Sequence, residues 1–190
     1  MTLKNFIKCF EIDKRSDYTI IDVIRIIRIL SERPYGRIRL VNKLSLGEAS
    51  VKTMIERLRK EGVLTDSTRG QILTERGGKI AEEINRKIFI FYNLKILSIT
   101  RKPCTTFVVR NSASRVRMGI EQRDEGMKVG VNITTLVYDG KSIRFPGTRE
   151  VVRDFRGKLD LKKGDVIIVS YGEGVEKRER GGFAAALTII

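Results

Sequence analysis

In residues 48–61, EASVKTMIERLRKE, hydroxyls and cations stand where they can act together. Val51, Met54, Ile55 and Leu58 fall at i, i+3, i+4 and i+7, the repeat of a helix with one apolar face. Turning that face inward leaves Ser50, Lys52, Thr53 and Arg57 outward, with Glu56 and Lys60 beside them. Short hydroxyls approach a base edge or a phosphate closely. Lys52 supplies charge, and Arg57 has the fork that fits a phosphate or a guanine edge. Glu48 could accept from a cytosine amino group, although an acid in a first turn also favours the helix dipole. A merely solvated face would have the same composition, so the surrounding elements must decide.

Residues 19–31, TIIDVIRIIRILS, predict a helix with Ile20, Val23, Ile24, Ile27 and Leu30 on one face and Asp22, Arg25, Arg28 and Glu32 as its polar stripe. Thr19 with Asp22 three positions later resembles a capping box. Ile21, Ile26 and Ile29 make this helix apolar nearly all round, which predicts deep burial or contact with another element or subunit. Pro34 ends it. Residues 36–44, GRIRLVNKL, predict a short helix with Leu40, Val41 and Leu44 inward; Arg37, Arg39 and Lys43 are its candidates for phosphate contact. Ser45-Leu46-Gly47 is a tight connection, and Gly62 stops the 48–61 helix. Residues 63–65 and 71–73 predict strands around the polar tip 66–70, which carries Arg69 next to Gly70. Thr74 caps a fourth helix with Ile80, Ala81, Ile84 and Ile88 on one face. Helix, short helix, tight turn, amphipathic helix, hairpin and helix make up a winged helix-turn-helix. In that arrangement the third helix enters the major groove of double-stranded DNA, and Arg69 reaches the minor groove or flanking backbone.

Beyond about Asn93 the pattern changes. Residues 94–99 and 105–110 predict strands, 121–129 a polar helix, and 132–138 a strand. Asp139-Gly140 is a tight turn, 141–145 the return strand, 148–156 a helix, 166–171 a buried strand and 174–190 a helix. Mixed strands and helices without βαβ regularity predict a two-layer α+β domain. The fold class is therefore α+β. An extension at 1–17 precedes a winged helix-turn-helix over 18–93 and an α+β domain over 94–190 for effector binding or dimerisation.

LGEASVKTMIERLRKEGVL, the Arg69-Gly70 wing, LTERGGKI, and GIEQRDEGMKVG before a strand hairpin together resemble the archaeal two-domain winged-helix proteins. These are regarded as transcriptional regulators with a C-terminal half of unknown function. The resemblance runs from about Tyr18 to Ile190, and Gly126 departs from it where a better helix former is expected. It implies DNA binding by the N-terminal half and names no ligand for the other.

Composition bounds the alternatives. The 190 residues carry 38 Lys+Arg, 23 Asp+Glu and no His, a formal charge of +15. That excess fits an acidic partner, most often nucleic acid. It is spread evenly, with 20 Lys+Arg against 12 Asp+Glu in residues 1–95 and 18 against 11 in residues 96–190. Without His, no Ser-His-Asp or Cys-His triad and no His-ligated metal site can form. No GxGxxG, GxxxxGK[ST] or zincin motif occurs, so no enzyme and no cofactor is expected. Cys9 and Cys104 form no CxxC and read as two buried free thiols. The longest apolar run, 183–190, falls far short of the roughly 20 residues a membrane span needs. The first 16 residues do not read as a signal peptide, so the expected location is the cytoplasm.

The expected function is a DNA-binding transcriptional regulator. It would be a homodimer, with Ile21, Ile26 and Ile29 or residues 88–92 as dimer surface, and residues 88–92 could equally pack the two domains together. A small anionic effector could use Arg110, Arg115, Arg117, Arg123 and Lys128, against a salt-bridged surface in which Asp124 pairs Lys128. An RNA- or ribonucleoprotein-associated winged helix and a protein-interaction scaffold are the alternatives.

Overall fold

Thr19 and Asp22 close the start of a helix at Ile20–Glu32 (α2), the Thr19 N–H donating to the Asp22 carboxylate at 2.9 Å. The computed structural model describes residues 2–155 and 157–190. It divides into two compact units, Met1–Arg86 and Lys87–Ile190.

In the first unit α2 is preceded by Leu3–Cys9 (α1). It is followed by Arg37–Leu44 (α3), Glu48–Lys60 (α4), a hairpin of Leu64–Ser67 (β1) and Gly70–Leu73 (β2), and Glu75–Lys87 (α5). This is a helix-turn-helix cluster with a two-stranded wing. The segment read as an extension carries α1, whose Leu3 and Phe6 are buried together with Phe10. Two sequence expectations for α2 are corrected. Asp22 and Arg25, assigned to its polar stripe, are fully buried, and Arg25 donates to the carbonyls of Leu44 at 3.2 Å and Lys43 at 3.3 Å. Ile26, offered as dimer surface, is core at 0% exposure. Only Ile21 and Ile29 of that set are half-buried.

The α4 periodicity is realised: Val51, Met54, Ile55 and Leu58 are its buried residues. The helix closes with Gly62 N–H on the Arg59 carbonyl and Val63 N–H on the Leu58 carbonyl, a Schellman pattern. In the wing, Ser67 opposes Gly70, so the turn is Thr68-Arg69. Gly70 sits at φ +117°, and its backbone lies against Tyr35 and Gly36 too closely for any side chain. Tyr35 bridges to Gln71, whose N–H donates to the Tyr35 carbonyl at 2.9 Å. Thr74 Oγ1 accepts from Gly77 N–H at 3.1 Å and starts α5.

The second unit is built on one antiparallel sheet. Its strands are Ile88–Tyr92 (β3), Cys104–Val109 (β4), Asn132–Tyr138 (β5), Ile143–Arg144 (β6), Val151–Val152 (β7) and Val166–Tyr171 (β8), in the order β3-β4-β8-β5-β6-β7. Two helices, Ile120–Lys128 (α6) and Val175–Leu187 (α7), pack on each other and on β4, β5 and β8. The other face buries Ile96, Cys104, Val108, Leu136, Ile143, Val152, Phe155, Ile167 and Val169. Val166–Val169 of the central strand β8 is apolar throughout because both faces are covered.

Helix α7 runs unbroken through Gly181-Gly182. The pair lets the helix approach the sheet, where a Cβ would overlap Val131 and the Phe107 ring. Gly126 serves α6 in the same way against Ile133.

Some expectations fail here. Residues 94–99 form no strand, only a bridge between Ile96 and Thr100. Residues 148–156, expected to be helical, hold β7 instead, and Arg156 lies outside the described residues. Ile88, assigned to the fourth helix face, starts β3. Cys104 is a buried free thiol donating to the Leu94 carbonyl at 2.9 Å, but Cys9 is exposed.

Among the described residues no helix is long and apolar enough to cross a membrane. Among the described residues no group of three or more Cys, Asp or Glu could hold a metal ion.

Candidate nucleic-acid interface

The polar face of α4 is presented as its periodicity requires. Lys52 and Thr53 are exposed, and Ser50 is half-buried. The Lys52 ammonium is 3.9 Å from Glu56, one turn on, with both side chains about three-fifths exposed. A pair so open to water is weak and easily exchanged for a phosphate. Arg57 differs. Its side chain is only 30% exposed, and its guanidinium lies 3.4 Å from Glu61 and 3.8 Å from Glu11. Two carboxylates therefore hold it before any partner arrives.

Arg37 and Arg39 leave the first turn of α3 beside the wing-tip Arg69. Together with Pro34, Gly36 and Ile38 they line an open cleft of about 410 Å³. Arg37 contacts Glu48 at 2.9 Å, whereas the Arg39 and Arg69 side chains have no ion-pair partner among the described residues. The fold thus gathers Arg37, Arg39 and Arg69 in one basic cleft. Lys43 is not among the lining residues; its ammonium is 5.2 Å from the centroid of the Tyr35 ring.

Three contributors went unread in the sequence. Arg33 donates to the Tyr35 hydroxyl at 2.9 Å and holds that phenol below its usual range, with Lys43 adding to the effect. Ile38, 73% exposed among arginines, falls outside the Leu40/Val41/Leu44 face, and that misfit was the available signal. Arg59 pairs with Asp66 and donates to Gln71 Oε1 at 3.0 Å, while Gln71 Nε2 donates to Asp66 at 2.9 Å. This network fixes the wing to the end of α4, and nothing local to α4 marks it.

Residues 19–79 match the family model described as "PH0730-like, N-terminal domain", and residues 100–189 match "Domain of unknown function (DUF4443)". One match lies within each of the two units. The solved structure of hypothetical protein PH0730 from Pyrococcus horikoshii OT3 superimposes with a TM-score of 0.75 at 24% identity, over 91% of this chain and 93% of that one. This likeness speaks for the fold. A mutant of ZitR from Lactococcus lactis aligns with a TM-score of 0.32 at 21% identity, over 44% of this chain and 66% of that one. No curated protein matches.

In the second unit the arginines proposed for an anionic effector are mostly committed. Arg110 contacts Asp165 at 2.5 Å and Asp160 at 3.3 Å and lies over the Phe89 ring. Arg115 donates to the carbonyls of Ile189 and Ile190 at 3.0 and 2.9 Å. On α6 Lys128 pairs with Glu125 at 2.5 Å rather than with Asp124, which Arg123 contacts at 3.3 Å.

Proposed function

We propose that the chain is a DNA-binding transcriptional regulator. Helix α4 would lie in the major groove of double-stranded DNA, and the wing would lie over the adjacent backbone. One observation carries the reading: Lys52 and Thr53 are exposed opposite the buried Val51/Met54/Ile55/Leu58 face of α4, in a unit whose Arg39 and Arg69 are free to meet phosphates. Ser50, Lys52 and Thr53 approach base edges, while Arg37, Arg39, Arg69 and Lys43 position the duplex. Arg57 joins them by giving up its carboxylates. A homodimer reading two half-sites completes the proposal, with the apolar edge strand β3 as its candidate seam. The second unit would serve dimerisation or effector sensing.

Duplex binding measured across a salt titration tests this. Each phosphate contact contributes about 0.9 to the log–log slope. Lys52→Ala and Arg69→Ala should weaken binding and flatten that slope. Wild-type affinity and slope in both variants would overturn the reading, as would preference for a folded RNA over every duplex in competition.

A further inference from the structure

The second unit carries a concave pocket of about 400 Å³, at the small end of the range that holds small molecules, about 300–1,000 Å³. Its floor is Ile143, Val152 and Phe155, all buried and all part of the apolar cluster on the sheet face away from α6 and α7. Lys141 and Arg153 stand at its rim, exposed, and neither side chain has a hydrogen bond or ion pair among the described residues.

The nearby carboxylates have partners other than Lys141 and Arg153. Asp139 accepts from the Lys141 and Ser142 N–H groups, both at 2.8 Å, and from Ser142 Oγ at 3.1 Å. Asp154 accepts from Ser98 N–H at 2.7 Å, and Asp160, also in the wall, pairs with Arg110. Asp139 therefore fixes the turn that carries Lys141, and Asp154 anchors the segment that carries Arg153. An apolar floor below two unpaired cations on anchored loops matches a ligand with an apolar body and a negative head.

We propose that this pocket binds a small organic anion, with its apolar body against Val152 and Phe155 and its acidic head between Lys141 and Arg153. The inference gives a site and a ligand class to the sensing role suggested for this unit. It does not depend on DNA binding, because the test contains no nucleic acid.

The probe is 8-anilinonaphthalene-1-sulfonate, titrated by fluorescence into the full-length protein beside the neutral N-phenyl-1-naphthylamine. We expect saturable one-to-one binding of the sulfonate. Lys141→Ala with Arg153→Ala should weaken it about tenfold or more and change the neutral probe by less than about twofold, since a hydrogen-bonded charged head contributes well above an uncharged contact. Amide shifts in the wild-type protein on adding the sulfonate should centre on residues 138–143 and 151–161. This second measurement stands even if the double variant unfolds. Absence of saturable binding, equal affinity in a folded double variant, or shifts centred elsewhere would each overturn the proposal.

Discussion

Arg25 on α2 donates from Nη1 to the carbonyl of Leu44, 3.2 Å away, and so ties the first long helix to the last residue of α3. The final carbonyls of a helix have no partner within it, and the helix dipole makes that end negative. A buried guanidinium satisfies both needs. Asp22, 3.5 Å away, balances its charge. The turn that launches α4 is thereby held from below.

Removing Arg25 takes the guanidinium donors from the Leu44 and Lys43 carbonyls and the nearby positive charge from buried Asp22. Arg25→Ala should destabilise the protein by about 3 kcal/mol, the scale of breaking a buried pair. Arg25→Lys should not restore it, because an ammonium lacks the fork that spans two carbonyls. Urea denaturation midpoints at constant m-value measure both.

Arg57 and Arg69 both entered the candidate interface as arginines, yet their surroundings differ. Arg57 must break from Glu61 and Glu11 to meet a phosphate, and the Arg69 side chain has no ion pair to break among the described residues. Arg57→Ala should therefore weaken duplex affinity less than Arg69→Ala, and Glu61→Gln should strengthen it. Direct titration at fixed salt ranks the three.

At Gly182 two effects compete. Alanine improves helix propensity by about 1 kcal/mol, but its methyl would overlap the Phe107 ring. Overpacking of this kind costs about 1–3 kcal/mol, so Gly182→Ala should lower the thermal midpoint. Gly78, in α5 with open space at its Cβ position, should gain stability on the same change.

The Asp139 carboxyl is lowered from 3.8 to about 2, first by the Ser142 and Lys141 backbone N–H groups. A carboxyl depressed by folding adds stability above its unfolded value, and that contribution disappears as pH falls through the folded one. Wild-type stability should thus decline between about pH 4 and pH 2 through this group. Asp139→Asn should remove that part of the decline. Urea midpoints at the two ends of the window give the comparison.

The two thiols should separate cleanly. Cys9 is exposed, whereas burial raises the Cys104 thiol above its usual range. A thiol-reactive dye should label one cysteine rapidly in the native protein and both after unfolding. Rapid native labelling of Cys104 would contradict its buried position.

The sequence by itself determined the elements that repeat locally. The spacing of Val51, Met54, Ile55 and Leu58 fixed the faces of α4, Gly62 fixed its end, and the hairpin around Arg69 followed from polar residues between two apolar pairs. These signals lie within a few residues of one another, so the chain carries them without its fold. Tertiary structure alone decided what each polar residue faces. Asp22 and Arg25 have the spacing of a solvated stripe, yet Arg25 is core because carbonyls 18 and 19 residues away need donors, and Asp22 is buried beside it. Residues 148–156 look helical in isolation, yet Val151–Val152 pair with β6 because that sheet edge is open to them. The Lys141–Arg153 pocket exists only where two distant loops close over one apolar floor. Periodicity records which way a side chain points, while burial and pairing depend on partners that only folding brings near.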